Sequence, residues 1–186
     1  MKGIGLDFGM PSFLTWLQDL PFSAWVAESD SIWGYAFMLF VHAVGMGMTA
    51  GLGFVMCLRL LGVGVAIPVS AMRSLFGVFW IGFYLNLVTG LILFMTDATG
   101  IARVPVLYVK LVCLALALLT LARLRSFIDS AGSDGVVPPS VKKTAVACIV
   151  LWLGVITAGR LIAYAVESSG SASVSPVVPA RIASIR

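Results

Sequence analysis

Charged residues are scarce in this chain. Only 11% of its 186 residues are Asp, Glu, Lys or Arg, whereas 60% are apolar. A soluble domain of this length usually carries about a quarter charged residues, so the composition argues against a soluble globular protein and against a disordered chain. The twelve basic residues are scattered between apolar runs and form no basic face, which argues against nucleic-acid binding despite the net charge of +4. The composition indicates an integral membrane protein with room for about four spanning helices.

Catalytic and metal-binding motifs are also absent from the sequence. It contains no HExxH, no Gly-x-Ser-x-Gly, no Walker loop and no pair of carboxylates within an apolar run. The three cysteines, Cys57, Cys113 and Cys148, lie inside apolar runs without a CxxC partner, so they predict neither a zinc site nor a disulfide framework. The sequence identifies no enzyme and favours a non-catalytic membrane subunit.

Four apolar runs predict an all-α fold, a bundle of four transmembrane helices. They cover about residues 32–61, 75–95, 104–121 and 145–166, within a membrane domain of residues 31–166. Residues 1–30 alternate aromatic and polar side chains around Pro21, which predicts an arm of two short amphipathic segments in the membrane interface. Residues 167–186 are rich in Ser and Pro, which is typical of a flexible tail.

The basic residues beside the apolar runs predict the orientation. Most of them flank the first and third loops, namely Arg59, Arg73, Arg123, Arg125, Lys142 and Lys143. Cytoplasmic loops carry the excess of Lys and Arg, so both termini are expected on the extracytoplasmic side of a bacterial inner membrane. The expected partners are the lipid bilayer and other membrane subunits or a second copy of the chain, and no nucleic acid is expected.

Few strongly polar residues lie within the predicted spans. They are His42, Asn86, Lys110 and Arg160, with Asp97 at the outer end of the second span. Such residues are costly in a bilayer, and each is a candidate for a functional role. At about 1.5 Å per residue, His42 and Asn86 are expected near mid-membrane, with Lys110 and Arg160 closer to the outer surface.

His42 is the only histidine, and three roles are open for it. It can pack helices by donating a hydrogen bond to Asn86 or Thr157. It can ligate haem b, with Gly45 leaving room for the macrocycle, although a second histidine ligand would have to come from another chain. It can bind copper together with Met38 and Met46, which lie four residues away on either side on the same helix face.

Lys110 and Arg160 have a structural and a functional interpretation. They can extend to the interface or pair with Asp97, or they can bind an anionic group such as a haem propionate, a quinone head group or an acidic substrate. Two residue sets are therefore predicted. The cofactor-binding set is His42, Gly45, Met46, Asn86, Lys110 and Arg160, and the metal-binding set is His42, Met38 and Met46.

A series of short motifs resembles a family of small bacterial four-span membrane proteins without an established activity. The resemblance extends from Trp16 to Tyr164, and it departs from the family pattern at Cys57, where the family has Asp. It supports the four-helix fold and draws attention to His42, Asp97, Lys110 and Arg160. The motifs are His42-x-x-Gly45, LRLLG at 58–62, WxGF at 80–83, TGxxLFxxDA at 89–98, Lys110, WLG at 152–154 and GRLIAY at 159–164.

The expected function is that of a small membrane subunit that holds a redox cofactor. Haem b bound through His42, with electron transfer inside a membrane complex, is the leading hypothesis. A cofactor-free anchor or assembly subunit is the alternative, and a copper-handling membrane protein is a second alternative. Size and span number are loosely similar to haem-b membrane anchors and copper-resistance membrane proteins, which is an analogy of fold class alone.

Overall fold

The described residues contain helices and no strand. The computed structural model describes residues 11–29, 31–130 and 136–173, with side chains for 12–29, 31–130 and 136–166. A short 3-10 helix, Val69–Ser74, precedes the fourth α-helix. The α-helices are α1 (Pro11–Gln18), α2 (Pro21–Glu28), α3 (Tyr35–Leu61), α4 (Leu75–Thr96), α5 (Ala98–Ala102), α6 (Pro105–Ser130) and α7 (Pro139–Ser173).

Four helical segments are long and apolar enough to cross a bilayer: Tyr35–Leu61, Val69–Thr96, Pro105–Ser130 and Pro139–Val166. At most 28% of the most apolar stretch of any of them is buried inside the protein, so large apolar side chains cover the outside of the bundle. Such a surface fits lipid and not water. The predicted all-α bundle of four transmembrane helices is confirmed, and the chain is a multi-pass membrane protein.

The bundle consists of two helical hairpins. Helix α3 packs along α4, helix α6 packs along α7, and contacts between α3 and α7 join the two pairs. We call the end of the bundle where α3 begins and α4 ends the N-terminal side, and the other end the loop side. Most of the buried core lies toward the loop side, where its largest side chains are Trp152, Phe79, Met56, Leu60, Leu124 and Ile128.

Glycine sets the separation of α3 and α4. A Cβ on Gly45 would lie 2.8 Å from the Asn86 backbone nitrogen and 3.0 Å from the Gly82 carbonyl oxygen. Both neighbours are backbone atoms, so the two helices can approach this closely only because residue 45 has no side chain. Gly47 and Gly51, two further glycines of α3, have no neighbouring atom within 4 Å of where a Cβ would stand.

The two short N-terminal helices pack on the N-terminal side of the bundle. The Ser23 hydroxyl donates to the Met95 carbonyl oxygen at 2.8 Å, and the Thr99 hydroxyl donates to Gln18 Oε1 at 3.0 Å. Their aromatic side chains are exposed, as stacked pairs Phe13–Trp16 and Phe22–Trp25. Residues 1–10 of the predicted arm lie outside the described residues.

The C-terminal helix runs further than the sequence predicted. Helix α7 continues to Ser173, whereas the membrane domain was expected to end at residue 166. The rest of the predicted tail, residues 174–186, lies outside the described residues.

Basic side chains on the loop side tie the two hairpins together. Arg73 lies 3.8 Å from Asp129 in an ion pair that Arg125 joins at 3.5 Å, and the Arg125 guanidinium stacks over the Phe76 ring. The basic residues that were expected to flank the first and third loops thus share one end of the bundle. That this end faces the cytoplasm stays a prediction.

Candidate functional site

A cleft of about 500 Å³ opens between the helices on the N-terminal side. Helices α3 to α7 all contribute to it, and most of its lining is apolar, including Leu39, Leu93, Phe94, Leu107 and Ile162. Two glycines, Gly90 of α4 and Gly159 of α7, also line the cleft and leave space where side chains would stand. Its polar lining groups include His42, Lys110 and Asp97. A largely apolar cleft with a few polar groups is the usual form of a small-molecule site.

The His42 ring is oriented by a hydrogen bond across the α3–α4 contact. Thr89 Oγ1 lies 3.1 Å from His42 Nδ1 and 2.7 Å from the Leu85 carbonyl oxygen. The direction of the His42–Thr89 bond follows the tautomer of the ring: Thr89 accepts from a protonated Nδ1 and donates to an unprotonated one. In the tautomer protonated at Nδ1 the Thr89 proton goes to Leu85 and Nε2 keeps its lone pair, and none of the described residues forms a hydrogen bond with Nε2. Histidines that ligate metals are commonly held in this way through the opposite ring nitrogen.

Two further contacts fix the position of His42. The Asn86 side-chain amide donates to the His42 carbonyl oxygen at 2.9 Å, so Asn86 holds the backbone of α3. The ring itself lies against Gly90, where a Cβ would come within 2.9 Å of His42 Cε1. Any side chain at residue 90 would displace the imidazole.

The sequence suggested Asn86 or Thr157 as the hydrogen-bond partner of His42. Asn86 does bond to His42, through its side chain to the His42 carbonyl and through its backbone to the ring, whereas Thr157 is exposed on α7. Thr89 was missed as a partner. It lies three residues after Asn86, on the same face of α4, and this spacing is the signal that could have identified it.

Lys110 of α6 lines the same cleft as His42 and lies close enough to it for the two side chains to interact electrostatically. Its Nζ is 3.6 Å from the position of a Cβ on Gly159 of α7. No hydrogen bond or ion pair joins Lys110 to any other residue that the structure describes. The cleft therefore presents one ammonium group without a counter-ion among the described side chains.

Asp97 lines the cleft but serves as a helix cap. Its carboxylate accepts from the Gly100 backbone N–H at 3.1 Å at the start of α5. The expected ion pair of Asp97 with Lys110 or Arg160 does not occur among the described residues. Asp97 thus satisfies a backbone donor and leaves the charge of Lys110 available.

The other predicted site residues lie outside the cleft. Arg160 is exposed on α7, and Gly45 lies at the α3–α4 contact. Met38 and Met46 are partly buried, and neither lines the cleft beside His42. The described side chains contain no group of three or more His, Cys, Asp or Glu residues that could hold a metal ion. Of the predicted cofactor-binding set, His42 and Lys110 share the cleft, with Asn86 supporting His42.

Comparisons of the chain with models of protein families, with curated proteins and with solved structures gave no match. The family resemblance drawn from the sequence motifs therefore stays an expectation.

The chemistry available in the cleft follows from two of its polar side chains, His42 and Lys110. An unprotonated ring nitrogen of His42 can coordinate one metal atom or accept one hydrogen bond, and the Lys110 ammonium can neutralise one anionic group. The rest of the lining is largely apolar. This combination suits a largely apolar ligand that has an acid group for Lys110 and a metal atom or hydrogen-bond donor for His42.

Proposed function

We propose that this protein is a small membrane subunit that binds haem b in the cleft and transfers electrons within a membrane complex. In this proposal His42 would ligate the iron, and the Lys110 ammonium would pair with a haem propionate. The observation that carries the proposal is the placement of the His42 ring, which lines the same cleft as Lys110 and has its Nδ1 3.1 Å from Thr89 Oγ1.

The neighbours of His42 support the same proposal. With Nδ1–H donating to Thr89, Nε2 would be the liganding nitrogen, and hydrogen bonding at Nδ1 raises the basicity of that nitrogen. The largely apolar lining of the cleft suits the faces of a macrocycle. Lys110 supplies charge for a propionate in a region where an uncompensated cation is costly.

A second histidine ligand to the iron would have to come from a second subunit or a second copy of the chain. The sequence contains a single histidine, so one chain supplies one imidazole ligand. Neither Met38 nor Met46 lines the cleft to act as the second ligand. Bis-histidine coordination would therefore require another chain.

A cofactor-free anchor or assembly subunit is the second candidate. The hydrogen bond from Asn86 to the His42 carbonyl and the hydrogen bond between His42 and Thr89 both join α3 to α4. Polar contacts of this kind stabilise helix association in a bilayer without any ligand. Under this alternative the role of His42 is confined to the α3–α4 contact.

Haemin titration of the purified protein in detergent separates the two candidates. We expect saturable binding with a Soret band, and we expect His42→Gln to abolish the band or shift it strongly because an amide is a far poorer iron ligand than imidazole. Met46→Leu is the control, since it removes a thioether outside the cleft and should bind haemin like the wild type. Equal titrations of wild type and His42→Gln would contradict the proposal, and both variants are checked for helix content by circular dichroism.

A further inference from the structure

Two of the three cysteines meet at the centre of the core, far from the cleft. Cys57 of α3 and Cys148 of α7 each have 0% of their surface exposed, and their side chains adjoin each other in the core. Cys148 Sγ also lies 4.0 Å from the Ala117 carbonyl oxygen of α6. At about 1.5 Å per residue, Cys57 lies roughly 22 Å along α3 from His42, so the thiol pair is independent of the cleft.

A buried donor without an acceptor adjoins the two thiols. Trp152 is 2% exposed, and its Nε1–H has no hydrogen-bond partner among the described residues. The indole lies close to the Cys148 side chain, one helical turn away on α7, and its Nε1 is 2.9 Å from where a Cβ on Gly53 would stand. A buried N–H without an acceptor is unfavourable, and a thiolate sulfur at Cys148 would supply the acceptor.

From this cluster we infer that Cys57 and Cys148 form a two-coordinate site for Cu(I). Thiolates are the soft ligands that Cu(I) selects, and two adjoining cysteines supply two of them. On binding, each thiol releases its proton to solvent and two Cu–S bonds form, with no change in the oxidation state of the metal or of sulfur. The site then carries one net negative charge, which the Trp152 N–H can stabilise by donating to the Cys148 sulfur.

The sequence favoured a different copper site. Its candidate ligands were Met38, His42 and Met46, but the two methionines do not line the cleft with His42. The structure instead brings together two sulfurs that lie 91 positions apart in the sequence and that were expected to act only as small apolar residues.

Copper analysis of the purified protein tests the inference, with the third cysteine as a matched control. Cys113 is partly buried on α6 against Gly154, where its Sγ lies 3.4 Å from the position that a Cβ of residue 154 would take. The protein is expressed in copper-supplied cells, so that the site can be loaded as the chain folds, and is purified anaerobically. We expect about one copper per chain for wild type and Cys113→Ser, and less than about a tenth of that for Cys57→Ser and Cys148→Ser. A copper-free wild type, or equal copper in all variants, would overturn the inference.

X-ray absorption on the copper-loaded wild type keeps the test independent of how the variants fold. We expect Cu(I) with two sulfur neighbours and no nitrogen. A nitrogen neighbour would overturn the inference and assign the metal to His42. More than two sulfur neighbours would also contradict a site made of Cys57 and Cys148 alone.

Discussion

The ammonium group of Lys110 is the charge that a ligand in the cleft would meet. It lies beside Gly159 and, among the described residues, has no anionic partner, while Arg160 on the next position of α7 is exposed and does not line the cleft. The two basic side chains were grouped together from the sequence. The structure separates them, because adjacent positions on a helix point about 100° apart.

Lys110 and Arg160 are expected to differ in how much each contributes to haemin binding. We expect Lys110→Gln to weaken haemin binding about tenfold, because one hydrogen bond to a charged group contributes roughly 1.5 kcal/mol or more. Arg160→Gln should leave haemin binding within about twofold of the wild type, since an exposed side chain outside the cleft contributes little. Spectroscopic titration measures both, and a larger loss for Arg160→Gln than for Lys110→Gln would refute the assignment of Lys110.

The identity of the candidate residues followed from the sequence, but their partners did not. A histidine or lysine inside an apolar run is conspicuous because it is costly in a bilayer, so His42 and Lys110 could be found without a structure. Thr89 could not be chosen over Thr157 as the partner of His42, since both are small polar residues within apolar runs. The choice depends on how α4 and α7 are rotated about their axes.

At the scale of the helices, the close contact of α3 and α4 positions His42. The contact depends on Gly45, which lies one turn after His42 on α3 and touches the backbone of Asn86 and Gly82. Gly47, two residues further along, faces open space. These two glycines of one helix are a matched pair for measuring what the contact contributes to stability.

We expect Gly45→Ala to destabilise the protein by roughly 1–3 kcal/mol, the usual cost of overpacking, because a methyl group there must push two backbones apart. Gly47→Ala meets no atom and should leave stability unchanged or slightly raised, since alanine favours the helix. Thermal unfolding in detergent, followed by circular dichroism, gives the melting temperatures. Equal shifts in melting temperature for the two variants would contradict a close contact of α3 and α4 at Gly45.

The sequence predicted the presence of the spanning helices more accurately than it predicted the residues at which they end. The expected second span at 75–95 agrees with α4, which runs from Leu75 to Thr96. The expected third span ended at residue 121, whereas α6 continues to Ser130, because Arg123, Arg125 and Asp129 lower the hydropathy without interrupting the helix. Hydropathy marks the part of a helix that suits lipid, and the polar last turns that extend beyond it are not included.

The sequence could not predict how each spanning helix is rotated about its own axis. The spanning helices are apolar on nearly every side, so no amphipathic pattern distinguishes the face that meets another helix from the face that meets lipid. Gly47 and Gly51 have the four-residue spacing of small residues that is common at helix contacts, yet within the described chain no atom lies within 4 Å of where a Cβ of either would stand. The contact forms instead at Gly45 and Gly82.

For the whole molecule, the distribution of basic residues predicts the orientation in the membrane. The basic residues of the first and third loops share one end of the bundle, and the N-terminal helices and the cleft lie at the other. The positive-inside rule places the basic end in the cytoplasm. The cleft with His42 and Lys110 would then face the extracytoplasmic half of the bilayer.

Reporter fusions check this orientation. Alkaline phosphatase fused after Ser173 should be active, and the same enzyme inserted within residues 131–137 should be inactive, because it folds only outside the cytoplasm. A green fluorescent protein at the same two positions is the reciprocal control, with fluorescence expected at the loop alone. The reversed pattern would place the cleft in the cytoplasmic half of the bilayer.

The absorption spectrum of the wild-type protein as isolated is the most direct test of the claim that the cleft holds haem b. The protein is purified from haem-supplemented cells in mild detergent, and its haem content is measured against its protein content. We predict a Soret band with separate visible bands after reduction with dithionite, at up to about one haem per chain. A colourless protein that retains its helical circular dichroism would contradict the claim and leave His42 as a helix-packing residue.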